Sequence, residues 1–163
     1  MDPPIEANAS PPGLEVPNGN AMLFELIGQG VQIYDCQPRP DDVSALQWTF
    51  RFPEAMLLNT RGEVVGRHFA GPTWEGNDGS QVVGEARANA PSPDPNAIPW
   101  LLIQARSNQG AGLFSSVTYI QRLHTSGGRA PAEGCDPAHA GQELRVPYTA
   151  TYVFYGPSMP ITG

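Results

Sequence analysis

Leu46, Trp48, Phe50 and Phe52 alternate with Gln47, Thr49 and Arg51. A repeat of two is what an extended strand with one buried face produces, and no helix can bury it. The same apolar, β-compatible character returns at 22–27, 31–36, 56–58, 64–65, 81–86 and 100–105. In 114–124, Val117, Tyr119 and Leu123 fall on one face and Thr118, Ile120 and Arg122 on the other. In 146–155, Val146, Tyr148, Ala150, Tyr152 and Phe154 share a face. Roughly nine or ten short segments and no amphipathic helix predict an all-β, single-domain antiparallel β-barrel or β-sandwich with long Pro/Gly-rich loops.

Proline and glycine, 18 of each, fall mostly between these runs and therefore read as turns rather than as disorder. Asn59-Thr60-Arg61-Gly62-Glu63 and Asp78-Gly79 are expected hairpin connections, and Gly28-Gln29-Gly30 a glycine-linked turn between two strands. The Pro-rich stretch 90–99 lies outside any central strand, because proline cannot donate to a ladder. The expected organisation is an extended Pro-rich arm over 1–20, one β domain over 21–156 and a tail over 157–163.

The chain holds 9 arginines, no lysine and 16 carboxylates, for a net charge of −7. Without a basic cluster, nucleic acid and anionic membranes are not expected partners. No apolar run approaches the ~20 residues of a spanning helix, so no transmembrane segment is expected. The polar, Pro-rich first twenty residues contain no secretory leader. The chain is either cytosolic or a secreted protein freed of its leader, and the second is the expectation. Asn8-Ala9-Ser10 is a formal glycosylation triplet followed directly by Pro11. A monomer is the expected state. Cys36 and Cys135 either pair in an oxidising compartment or remain two buried thiols.

Chemistry concentrates in His68-Phe69-Ala70-Gly71-Pro72-Thr73-Trp74-Glu75 and the loops around it. Trp74 and Trp100, with His68, Asp94 and Asn96 nearby in sequence, are the candidate ligand-binding residues. Aromatic rings at the mouth of a β scaffold stack on sugars or apolar ligands, while a polar neighbour sets orientation. The plainer reading makes both tryptophans core anchors, Asp78 a turn residue and Asp94 an organiser of its own loop. His68, Glu75, Asp136 and His139 are the candidate catalytic residues. Two imidazoles plus a carboxylate suit acid–base chemistry or a divalent ion. No His-x-His or His-Glu-x-x-His spacing accompanies them, so no metal and no other cofactor is expected. Gly28-Gln29-Gly30 fails as a dinucleotide fingerprint, since Ile33 stands where the third glycine belongs.

Several stretches together resemble one family of secreted fungal and bacterial proteins, a domain of unknown function (DUF 3455). They are 30–36, 66–75, 90–102 and Ile120-Gln121-Arg122, with Gly134-Cys135-Asp136, His139-Ala140-Gly141 and Val146-Pro147-Tyr148-Thr149-Ala150. The resemblance spans about residues 14–156. It implies secretion, a single domain and a disulfide between Cys36 and Cys135, and it carries no activity with it. Some fungal members bear a malate dehydrogenase label, which this chain does not support, lacking the fingerprint and room for two α/β domains. The reading is a binding module for a saccharide or small amphipathic molecule at a His/Trp-lined mouth. A secreted enzyme using histidine and carboxylate acid–base chemistry, with or without the help of a metal, is the alternative, and a protein or cell-wall interaction module the third.

Overall fold

In the computed structural model, which describes residues 11–158, the alternating runs become eight antiparallel strands. They are β1 (Asn20–Arg39), β2 (Asp42–Leu58), β3 (Val64–Phe69), β4 (Thr73–Gly76), β5 (Gln81–Ala90), β6 (Trp100–Gln109), β7 (Tyr119–Gly127) and β8 (Glu143–Pro157). Each pairs with the next in sequence, and β8 returns to pair with β1 from Asn20↔Pro157 to Asp35↔Glu143. The sheet is therefore a closed barrel, an arrangement that leaves no unpaired edge. The one helical element among the described residues is a 3-10 turn, Pro137–His139. No helix among them is long and apolar enough to cross a membrane.

Two pairs of the expected runs fuse, and β4 (Thr73–Gly76), which none of those runs covers, brings the number of strands to eight. Gly28-Gln29-Gly30 is not a turn; it lies in the middle of β1. A Cβ on Gly30 would sit 2.0 Å from the Glu54 carbonyl oxygen, and one on Gly28 would sit 2.5 Å from the Tyr152 ring. Close approach of the neighbouring strand and of an interior ring is what these glycines permit. In β2, the runs 45–52 and 56–58 join through Pro53, beside a bulge that inserts Arg51 opposite the Ile33/Tyr34 step. The bulge breaks the alternation: Phe50 pairs with Tyr34 and Phe52 with Ile33, so the two phenylalanines leave opposite faces of the strand.

The segment 114–118 does not continue the strand that starts at Tyr119. It curls through Ser115 N–H to the Gly112 carbonyl and Val117 N–H to the Phe114 carbonyl. Phe114 and Val117 are fully buried against Phe24 and Phe154 and fill one end of the barrel. Asp78 and Ser80 hold that plug by accepting the Leu113 and Phe114 amides at 2.8 and 3.0 Å.

Of the expected arm over 1–20, residues 1–10 and their glycosylation triplet lie outside the described residues, as does most of the 157–163 tail. From Pro11 onward the segment packs on the barrel: Leu14 is buried, and its carbonyl accepts the Gln121 side-chain amide at 2.7 Å.

Up-and-down order sorts the connections. Those between β1 and β2, β3 and β4, β5 and β6, and β7 and β8 all emerge at one end, opposite the Phe114 plug. The histidine-tryptophan hairpin, the Pro-rich loop and the Cys135 loop therefore share that end, although they lie far apart in sequence.

Candidate ligand-binding site

The β3–β4 hairpin sets His68 opposite Trp74, and paired residues share a face of the sheet, here the inner one. Their rings stack at 4.3 Å with planes 19° apart. Tyr152, from β8, meets both edge-on at 5.2 and 5.8 Å. The turn between the strands, with a cis Gly71-Pro72 bond, is closed by the Thr73 hydroxyl donating to the Ala70 carbonyl at 2.8 Å.

His68 is buried and, among the described residues, makes one polar contact, Nδ1 to the Thr73 carbonyl at 2.9 Å. A carbonyl only accepts, so Nδ1 carries the proton and Nε2 holds a free lone pair. Burial pushes the imidazole pKa down to about 3, the bond to Thr73 opposes that, and the positive charge of Arg122 adds to it. His68 is neutral at neutral pH. The Trp74 indole N–H is buried without a hydrogen-bond partner among the described residues.

Around this stack, a cavity of about 200 Å³ opens at the barrel mouth. Phe50, Pro53, Pro72 and Ile103 give it an apolar wall, and Gln32, Arg51, Arg122 and the Tyr152 side chain add polar groups. Phe50, half exposed, forms the rim. Arg51 is tied to Asp35 in a close ion pair. Arg122 pairs in register with Tyr152 and so shares its inward face. Its Nε and Nη2 donate to the Pro99 carbonyl at 3.0 and 2.7 Å, and no carboxylate lies within 4 Å of it among the described residues. Burial raises the pKa values of Tyr34, Tyr148 and Tyr152, which stay uncharged as well.

Of the residues singled out in the sequence, only His68 and Trp74 reach this cavity. Glu75, next to Trp74 on a strand, faces outward, where Arg67 and Gln81 bind it at 2.7 Å each. The Gln81 hydrogen bond, then that of Arg67, holds its carboxyl below the usual range. Asp136 and His139 meet each other at 2.5 Å on the β7–β8 loop, half exposed, and neither lines the cavity. His139 holds the Asp136 carboxyl low. The four candidate catalytic residues thus do not converge. Among the described residues, no three of His, Cys, Asp and Glu are grouped to hold a metal ion.

Trp100 stands edge-on to His124 at 5.3 Å with its indole N–H buried and unpartnered, away from the cavity. Asp94 accepts the Asn96 amide at 2.9 Å, and Ser92 Oγ accepts that of Asp94 at 3.1 Å, so these groups order their own loop. Asp94 also borders a surface groove of about 610 Å³ with Arg129, whose guanidinium is spent on the Pro95 carbonyl. The Pro-rich loop serves the mouth differently: Thr125 bonds the Ile98 carbonyl at 2.6 Å while Pro99 anchors Arg122. Cys36 and Cys135 form a disulfide that fastens the β7–β8 loop to β1, helped by the Trp48 indole donating to the Glu133 carbonyl at 3.0 Å.

Arg122, Gln32 and Tyr152 are the wall residues that the sequence reading passed over. Arg122 did leave a signal, because it shares a strand face with the core residue Ile120. A cation on the buried face of an alternating strand is out of place unless it serves the interior.

Fold and site together define a closed up-and-down β-barrel with a small, largely apolar cavity and, at its mouth, an arginine that no carboxylate among the described residues pairs. A family model described as a protein of unknown function (DUF3455) matches residues 17–156, and the chain belongs to that family. No curated protein and no solved structure matches the chain.

Proposed function

We propose that this protein is a binding module that takes a small amphipathic molecule into the barrel mouth, and that it works outside the cell. The observation that carries the reading is the cavity of about 200 Å³ beside the buried His68–Trp74 stack. Engineered apolar cavities of about 150 Å³ hold benzene, so this one suits a single ring with a small substituent. A saccharide would need an open aromatic platform, whereas Trp74 is 1% exposed. Acid–base catalysis would need a second titrating group beside His68, and the carboxylate nearest it in the hairpin, Glu75, faces the other way. The Cys36–Cys135 disulfide supports an oxidising, extracellular location.

Titrating benzyl alcohol and glucose separately into ¹⁵N-labelled protein tests the reading. Benzyl alcohol is expected to shift the amides of 68–74 and the Trp74 indole resonance while glucose does not. Glucose acting on the same signals would favour the saccharide, and silence from both at millimolar concentration would remove the mouth as a binding site.

A further inference from the structure

The charge pattern of the cavity reverses that of the protein. Sixteen carboxylates outnumber nine arginines in the chain, yet two arginines and no carboxylate line the cavity. Asp35 answers Arg51. Among the described residues no carboxylate answers Arg122: it donates two of its five N–H groups to the Pro99 carbonyl and also hydrogen-bonds the Tyr152 side chain, and neither partner carries a net charge.

The surroundings do not disperse that charge. His68, Tyr148 and Tyr152 are buried and neutral, and the field of Arg122 acts on each of them. A cation beside an apolar wall, held only by the neutral Pro99 carbonyl and Tyr152 side chain, has its hydrogen bonds partly met and its charge unmatched, and an incoming anion would complete the pairing. Arginine suits a carboxylate in particular, because the guanidinium fork meets both oxygens at once.

From this we propose that the ligand is an anion, a single-ring carboxylate whose carboxylate group sits on Arg122 and whose ring lies on the apolar wall. The inference rests on the binding role argued above and adds the charge and the anchoring residue.

Benzoate and benzamide, equal in size and different in charge, are the probes. Mapped on the amides of 68–74 and 120–124, benzoate should bind about tenfold more tightly or better, as a charge-assisted pair requires. Arg122→Gln should abolish that preference, and Arg122→Lys, which keeps the charge and loses the fork, should retain part of it. Equal affinity for the two probes in the unaltered protein overturns the inference while leaving the binding role intact. Silence at the mouth from both overturns the two together. A preference for benzoate that survives in Arg122→Gln, or shifts confined to signals away from the mouth, assigns the anion elsewhere and also overturns it. If Arg122→Gln does not fold, the comparison of probes in the unaltered protein and in Arg122→Lys decides.

Discussion

At His68, burial and a single backbone acceptor decide the charge. The unfolded chain takes up a proton below the ordinary value of 6.5, while the folded one refuses it until about 3. The stability owed to neutral His68 is therefore complete above pH 6.5 and is lost as the pH falls from there towards 3. The loss should steepen towards about 1.4 kcal/mol per pH unit. Glu75 and Asp78, whose pKa values are lowered from 4.5 and 3.8, act only below that upper range. Thermal melts between pH 7 and about pH 5 therefore isolate the histidine. The midpoint should drop across this window, and His68→Asn, whose amide can still donate to Thr73, should flatten the slope whatever it does to the absolute midpoint. An unchanged slope in the variant would assign the acid sensitivity to another group. The concentration of His68 and Trp74 in one stretch was legible, but the β3–β4 hairpin that stacks them came from the structure. That Glu75 turns its back on Trp74 follows from strand alternation alone. That Arg122 meets no carboxylate among the described residues did not follow, because it depends on which carboxylates the other seven strands carry into reach.

Among the elements, β1 and β2 carry the barrel's curvature. Gly30 lets β1 cross β2 closely, and the bulge at Arg51 turns Phe50 into the mouth. Gly30→Ala would drive a Cβ to 2.0 Å from a backbone oxygen, which no rotamer change relieves. It should cost on the order of 1–3 kcal/mol, read as a lower denaturation midpoint, with amide shifts concentrated along 28–33 and 53–57. A variant as stable as the parent would mean that the strands can part without loss. Neither device was visible beforehand. A glycine pair looks alike in a turn and in a crowded strand, and a bulge is set by the partner strand's register rather than by local composition.

For the whole molecule, two long-range ties are the β1–β8 seam and the Cys36–Cys135 bridge. The bridge closes a loop of 99 residues, which restricts the unfolded chain by roughly 4–5 kcal/mol in the chain-entropy account. Cys135→Ser should thus lose about 2–5 kcal/mol, measured by chemical denaturation. The mouth should survive below the transition, because Arg122 and His68 are held by Pro99 and Thr73 and not by the bridge. Probe shifts at 68–74 in the folded variant check that point. Their disappearance would make the β7–β8 loop part of the site.

Period-two alternation and the turns at 59–63 and 78–79 were written in the sequence. Each depends on neighbours within a few residues, where strand geometry leaves little choice. The choice between barrel and sandwich was not, nor the opposite faces of Phe50 and Phe52, nor the gathering of Arg122, His68 and Tyr152 around one cavity. Those rest on β8 finding β1 from the far end of the chain. Such a pairing is won by the summed burial and hydrogen bonding of the whole closed sheet, which no local stretch encodes.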